Sequence, residues 1–195
     1  MSLTTAPLAF RQLADTLAQV SDNGGFLHLA KSLADILGVH HVAVEHVDCQ
    51  RGTATTLAMW SQGRFIENVT YPLAGTPCQY VMDYAKGQFS SQLREQFPAD
   101  ERLAALSVEE YWGATITAPD GGFLGAIALM HSSPLVLPQY ANDVLRITSA
   151  LAGVELARQL AESHTQERLL YKKRALQRIG RHNETLVHTI NEQQR

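Results

Sequence analysis

YWGATITAPDGGFLGAIALMH, residues 111–131, carries two β-rich runs, Trp112 to Ala118 and Phe123 to His131, on either side of Pro119-Asp120-Gly121-Gly122. Asp-Gly-Gly after a proline is a strong hairpin signal, because the turn needs residues that accept positive φ and a side chain that bonds back to its own backbone. The pair is therefore read as two antiparallel strands. Phe123 to Met130, counting Gly125, is the longest apolar run, at eight residues. That is far short of the roughly 20 that span a bilayer, so no membrane span is expected.

Upstream of the hairpin the pattern alternates between two periods. Phe10, Leu13, Leu17 and Val20 recur at spacings of 3, 4 and 3, which predicts a helix over 8–20. Asp22 or Asn23 is expected to cap a second helix, with Phe26, Leu29, Ala30, Leu33, Ile36 and Leu37 on its buried face and Gly38 as its left-handed stop. From His41 the period becomes two: Val42 and Val44 point one way, Ala43, Glu45 and Val47 the other, in a strand ending near Asp48. Thr53 to Trp60 and Phe65 to Tyr71 read as two further strands of an antiparallel meander. Thr76-Pro77 predicts a capped helix from Pro77 to about Lys86, stopped by Gly87, and Phe97-Pro98-Ala99-Asp100 opens a short helix through Leu106.

Downstream of the hairpin there is no proline after Pro138, and the spacing predicts a helix or near-continuous helix pair of some 50 residues, against an average of about 11 to 12. Leu169, Leu176, Asn183 and Ile190 lie seven apart, with Ile179 and Leu186 three beyond Leu176 and Asn183, which is the a/d pattern of a two-stranded coiled coil with a polar a position at Asn183. Those six residues are the expected homodimer seam. Leu145, Ala152, Leu156 and Leu160 keep a different phase, so there the seam either shifts or packs on the domain instead.

The 195 residues, 45% apolar and 18% charged, describe an ordinary globular chain rather than a disordered or disulfide-stapled one. Residues 1–154 hold 8 Lys+Arg against 14 Asp+Glu, and residues 155–195 hold 8 against 5. An acidic body argues against nucleic acid as a partner, and Lys172-Lys173-Arg174 reads as the solvated face of the long helix. Met1 to Pro7 lacks a basic n-region, so Cys49 and Cys78 are expected as reduced thiols in the cytoplasm.

Five linked motifs in order, Tyr71-Pro72-Leu73-Ala74-Gly75-Thr76-Pro77-Cys78, Phe97-Pro98-Ala99-Asp100, Tyr111-Trp112-Gly113, Asp120-Gly121-Gly122-Phe123-Leu124-Gly125 and Pro134-Leu135, make the chain resemble a GAF domain of bacterial signalling proteins, of the kind preceding PAS, GGDEF or histidine kinase modules. The resemblance covers residues 22–162 and implies an α+β fold, a central antiparallel sheet of about six strands with helices on both sides, plus the long C-terminal helix. It divides the chain into a flanking helix (1–21), a GAF-like sensor domain (22–162) and a signalling coiled-coil helix (163–195). It implies a cavity between sheet and overlying helices that holds a small ligand of unknown identity, and a helix that passes the signal to an output domain. On that reading the chain is a fragment of a longer protein and is not itself the enzyme.

The candidate ligand-binding residues are Trp60, Tyr71, Tyr80, Tyr111 and Trp112, each an apolar body with one polar atom, and Cys78, at a helix first turn whose dipole can lower a thiol pKa although packing is its ordinary role. No catalytic constellation or zinc spacing is present among the His and Cys residues. Relatives that attach a linear tetrapyrrole do so through Cys followed by His, whereas Cys78 precedes Gln79 and Cys49 precedes Gln50. Cyclic-nucleotide binders carry Asn-Lys and then Phe, three residues, Asp-Glu; this chain has no Asn-Lys pair and only two residues between Phe97 and Asp100-Glu101. A ligand-free dimerisation scaffold and a thiol-based reductase of small molecules are the rival expectations.

Overall fold

A computed structural model describes residues 5–17, 24–84, 86–90 and 93–193. The chain forms two compact units, Met1–Ala157 and Arg158–Arg195. The first contains helices α1 (Ala6–Leu17) and α2 (Gly25–Leu37), then strands β1 (His41–Asp48), β2 (Thr53–Ser61), β3 (Arg64–Phe65) and β4 (Thr70–Pro72). Helix α3 (Pro77–Tyr84), strand β5 (Lys86–Ser90), short helices α4 (Leu93–Gln96) and α5 (Glu101–Ala105), and the hairpin β6 (Glu110–Thr117) and β7 (Phe123–His131) follow. Helix α6 (Ala141–Gln193) begins in the first unit and supplies the second.

All seven strands form one antiparallel sheet in the order β3-β2-β1-β7-β6-β5, with β4 paired to β2. The period-two reading of β1 divides its side chains between two cores. Val42 and Val44 lie on the face covered by α2, with α1 behind it, while Ala43 and Val47 join the core under α3 with Val81, Leu103, Tyr111, Ala128 and Met130. Gly38 caps α2 at φ 70°, as its position requires. At the other end Gly24, not an acidic or amide side chain, is the capping residue; Asp22, Asn23 and Val20 lie outside the described residues.

The sheet differs from the sequence expectation in three places. The run Phe65 to Tyr71 is two short strands, β3 and β4, separated by an irregular stretch in which the Ile66 amide and the Val69 amide and carbonyl still bond to β2. Helix α3 ends at Tyr84, and Lys86-Gly87-Gln88-Phe89-Ser90 is an edge strand rather than a helix end. Gly87 pairs with Gly113 there, so a residue that reads as a helix stop instead allows close strand approach. Helix α4, just before Phe97, has no counterpart in the sequence reading.

Helix α6 buries Val144, Leu145, Ala152 and Leu156 in the first unit, the domain-packing alternative for that stretch, while Leu160, in the second unit, is only half-buried. Gly153 is the closest approach: a Cβ placed on it would stand 2.0 Å from the Thr117 carbonyl oxygen of β6. In the second unit Leu169, Leu176 and Ile179 are exposed, whereas the side chains of Asn183, Leu186 and Ile190 lie outside the described residues.

Alanine at a free helical position is about 1 kcal/mol better than glycine. At residue 153 the added methyl must displace the sheet or the helix, at about 1 to 3 kcal/mol, and more where backbone has to move. Gly153→Ala is therefore expected to lower the melting temperature by a few degrees in a thermal circular dichroism scan; a raised melting temperature would mean that α6 does not press on β6.

Candidate functional site

The face of the sheet under α3 and α5 is paved with small residues. Reading across the strands, Met59, Ala43, Ala128, Gly113 and Gly87 are successive cross-strand partners. Only the first of them reaches far from the sheet. A bulge in β2 places Thr56 opposite Glu45 and Ala58 opposite Val44, skipping Leu57, so Thr56 and Met59 both face this side. Above the small residues lies a cavity of about 200 Å³. Met59, Ile66, Leu103, Leu106 and Met130 supply much of its apolar wall, and the exposed Glu67 and Val69 of the β3–β4 connection border it on the solvent side.

One corner of the cavity is polar. Glu45, from the middle of β1, is 3% exposed and accepts a hydrogen bond from Tyr71 Oη at 2.7 Å. Cys78 lines the same corner, its thiol electrostatically coupled to that carboxyl. Arg102 stands 3.7 Å away with Nη1 toward Glu45 Oε1, and its guanidinium carbon lies over the Tyr71 ring at 3.1 Å from the centroid. Asp100 holds that guanidinium through Nε at 2.9 Å and Nη2 at 2.7 Å, and also accepts from the Arg102 backbone as the N-cap of α5. Two buried acids and one cation are thus drawn together from β1 and α5, with partners from β4 and α3.

Burial sets the proton affinities. Loss of water raises the Glu45 carboxyl above its usual range, held back by Arg102, Tyr71 and Cys78. Burial is the largest single influence on Arg102 and works against its charge, but the Asp100 hydrogen bonds together with the charges of Tyr71, Glu45 and Asp100 outweigh it, and the guanidinium stays charged. The Cys78 thiol moves up, first through burial and then through the neighbouring Glu45 carboxylate. Burial thus prevails over any lowering by the α3 terminus, and at neutral pH the group is a thiol rather than a nucleophilic thiolate. Tyr111 is also pushed up by burial, and its hydroxyl, 3% exposed as a residue, has no hydrogen-bond partner among the described residues.

Of the six residues singled out in the sequence, Tyr71, Cys78 and Tyr111 come together on the cavity. Trp60 and Trp112 do not line it. They fall on the opposite strand parity, beside Val42 and Leu129, with Lys31 of α2 over the Trp60 ring. Tyr80 projects outward from α3 and packs on Tyr84 and Phe89. Glu45 and Arg102 were not among the candidates. Glu45 carried one legible signal, a carboxylate sharing a strand face with Ala43 and Val47; nothing in the sequence ties it to Arg102, 57 positions on.

A second polar cluster joins the strand ends. His41 bonds to Ser61 at 2.9 Å and Ser132 at 3.2 Å, and Ser132 in turn donates to the Leu106 carbonyl. His40 and His131 stack at 3.7 Å beside it. Burial first, then His40 and His131, lower His41 to about 4. Among the described residues no group of three or more His, Cys, Asp or Glu is arranged to hold a metal ion, and no helix is long and apolar enough to cross a membrane.

No known protein family and no curated protein matches this sequence at a significant level. Solved structures do. The GAF domain of Acinetobacter phosphoenolpyruvate-protein phosphotransferase superposes with a TM-score of 0.63 at 13% identity, covering 80% of this chain and 97% of that one. The chain has a GAF-like fold. The chromophore-binding domain of Stigmatella aurantiaca phytochrome P1 (TM-score 0.58, 13% identity, 78% of this chain) and a bacteriophytochrome from R. palustris (0.61, 9%, 85%) share it. This GAF-like chain spans 61% and 42% of those two proteins.

Replacing Arg102 by Leu leaves Asp100 and Glu45 buried without their cation, a loss of about 3 to 5 kcal/mol. A carboxyl whose folded pKa lies above its unfolded value favours the fold in acid, and that contribution is lost as pH rises through the folded pKa. The Arg102→Leu deficit should therefore be larger at pH 8 than at pH 5 in urea titrations; a deficit independent of pH would mean Glu45 is not the group left stranded. His41 has the opposite sign: its neutral form supports the fold above about 6.5, and the support is lost as pH falls toward 4. A shift of that size is worth at most about 3 kcal/mol. His41→Gln is expected to lose correspondingly less stability than wild type between pH 7.5 and 4.5.

Proposed function

We propose that this GAF-like domain is a cytoplasmic regulatory sensor of bacterial signal transduction. It binds a small molecule in the cavity above β1 and β7 and passes its occupancy through a dimeric C-terminal helix to a downstream output domain. The observation that carries the reading is the cavity itself: apolar walls around one convergent polar corner, the build of a small-molecule site. The fold shared with GAF and phytochrome chromophore-binding structures points the same way. The elements over the cavity, α3 and α5, carry Cys78 and Arg102, so a ligand touching Glu45 perturbs groups on separate pieces of chain at once. Such a contact signals only if the ligand favours one arrangement over another.

In this reading the chain is regulatory rather than catalytic, and an output enzyme such as a diguanylate cyclase or histidine kinase lies outside it. The raised Cys78 thiol speaks against the reductase alternative. The helix pairs with a second copy through Leu169, Leu176, Ile179, Asn183, Leu186 and Ile190; exposure of the first three supports a seam.

Native mass spectrometry of the purified chain, with a denaturing spectrum beside it, tests both parts. A dimer carrying an added noncovalent mass is expected, and the Leu176→Glu, Ile179→Glu double variant is expected as a monomer that keeps the mass. A dimer with no added mass under any condition that supplies cell extract favours the scaffold reading; a wild-type monomer removes the helix pairing.

A further inference from the structure

We infer that the cavity takes a small, largely apolar molecule ending in one hydrogen-bond-donating group, a hydroxyl or a protonated amine, and rejects carboxylates. This rests on the sensor reading above and names the chemistry of its ligand. Size comes first. A cavity of about 150 Å³ accommodates benzene, so 200 Å³ admits a single ring or short chain with one small head.

The polar corner then fixes the head. A carboxylate offers about four acceptor positions; the Tyr71 hydroxyl uses one of those on Glu45, leaving capacity for a donor from the ligand. Tyr111 lines the same cavity, and its buried hydroxyl, which has no partner among the described residues, can donate or accept. A ligand hydroxyl accepts from Tyr111 and donates to Glu45, while an ammonium donates to both. A carboxylate meets the reverse situation. Arg102 is the one cationic side chain among the described residues lining the cavity, and its Nε and Nη2 are bound to Asp100 while Nη1 faces Glu45. Glu45, Asp100 and Glu67 all line the same space, so an anion finds three acids and no free cation.

Benzyl alcohol, benzylamine and benzoate present one ring with three heads and serve as probes in calorimetric titrations of the full chain. The alcohol or the amine is expected to bind, with benzoate at least about tenfold weaker than the better of the two. Tyr111→Phe should weaken the better probe about fivefold without lowering the melting temperature of the free protein, because it removes a buried hydroxyl that has no partner. Glu45→Gln separates the two heads: it should cost the amine more than the alcohol. Benzoate binding as tightly as the others, and lost on filling the cavity with Ala128→Leu, overturns the ligand class while leaving the sensor cavity standing. An affinity unchanged by Tyr111→Phe also overturns the class. Failure of all three probes at millimolar concentration overturns the inference, and only if native spectra also show no bound mass does the sensor reading fall with it.

Discussion

A carboxylate on the inner face of the central strand is the constraint around which this domain is arranged. Glu45 sits between β2 and β7, where water does not reach it. Burying such a group unpaired costs far more than a domain's net stability, so the chain must bring compensation to it. Tyr71 comes from β4, Cys78 from α3 and Arg102 from α5, and Arg102 is steered by Asp100, itself the cap of its own helix. Replacing the whole cluster by apolar residues would be no less stable on general grounds, since buried ion pairs at best offset their own desolvation.

The cavity follows from the pavement beneath it. Ala43, Ala128, Gly113 and Gly87 keep the sheet surface low, and Gly113 also makes room for its neighbours: a Cβ there would collide with Val81 and the Tyr111 ring. Small residues under the helices are usually filled by large ones opposite. Here the opposing side chains leave 200 Å³ open, and Tyr111 keeps its hydroxyl unsatisfied beside it.

Local punctuation made much of the fold legible. The Pro-Asp-Gly-Gly turn, Gly38, Thr76-Pro77 and the proline-free tail fixed the hairpin, two helix ends and α6, because each depends on backbone preferences of a few adjacent residues. Strand β5 escaped because its identity comes from pairing with β6, and its glycine speaks locally for a helix end. The cavity was only half legible for a similar reason. Tyr71, Cys78 and Tyr111 lie in or beside recognisable motifs, but aromatic character alone does not report strand parity. The parity of β1, β2 and β6 sends Trp60 and Trp112 to the α2 face. Glu45 and Arg102 meet only through the tertiary fold.

A ligand acting at Glu45 would act on the best-connected strand of the sheet. Strand β1 is bonded along most of its length to both β2 and β7, and β7 carries β6, whose Thr117 carbonyl meets Gly153 of α6 at backbone distance. Contacts this close leave no soft side chain to absorb a small displacement, and packed interiors pass strain on rather than dissipate it. In the proposed sensor the polar corner supplies the energy difference between free and occupied states. The glycine contact supplies the rigid coupling to the first turns of the helix. On that proposal the buried acid stands at one end of the path and the close Gly153–Thr117 contact at the other.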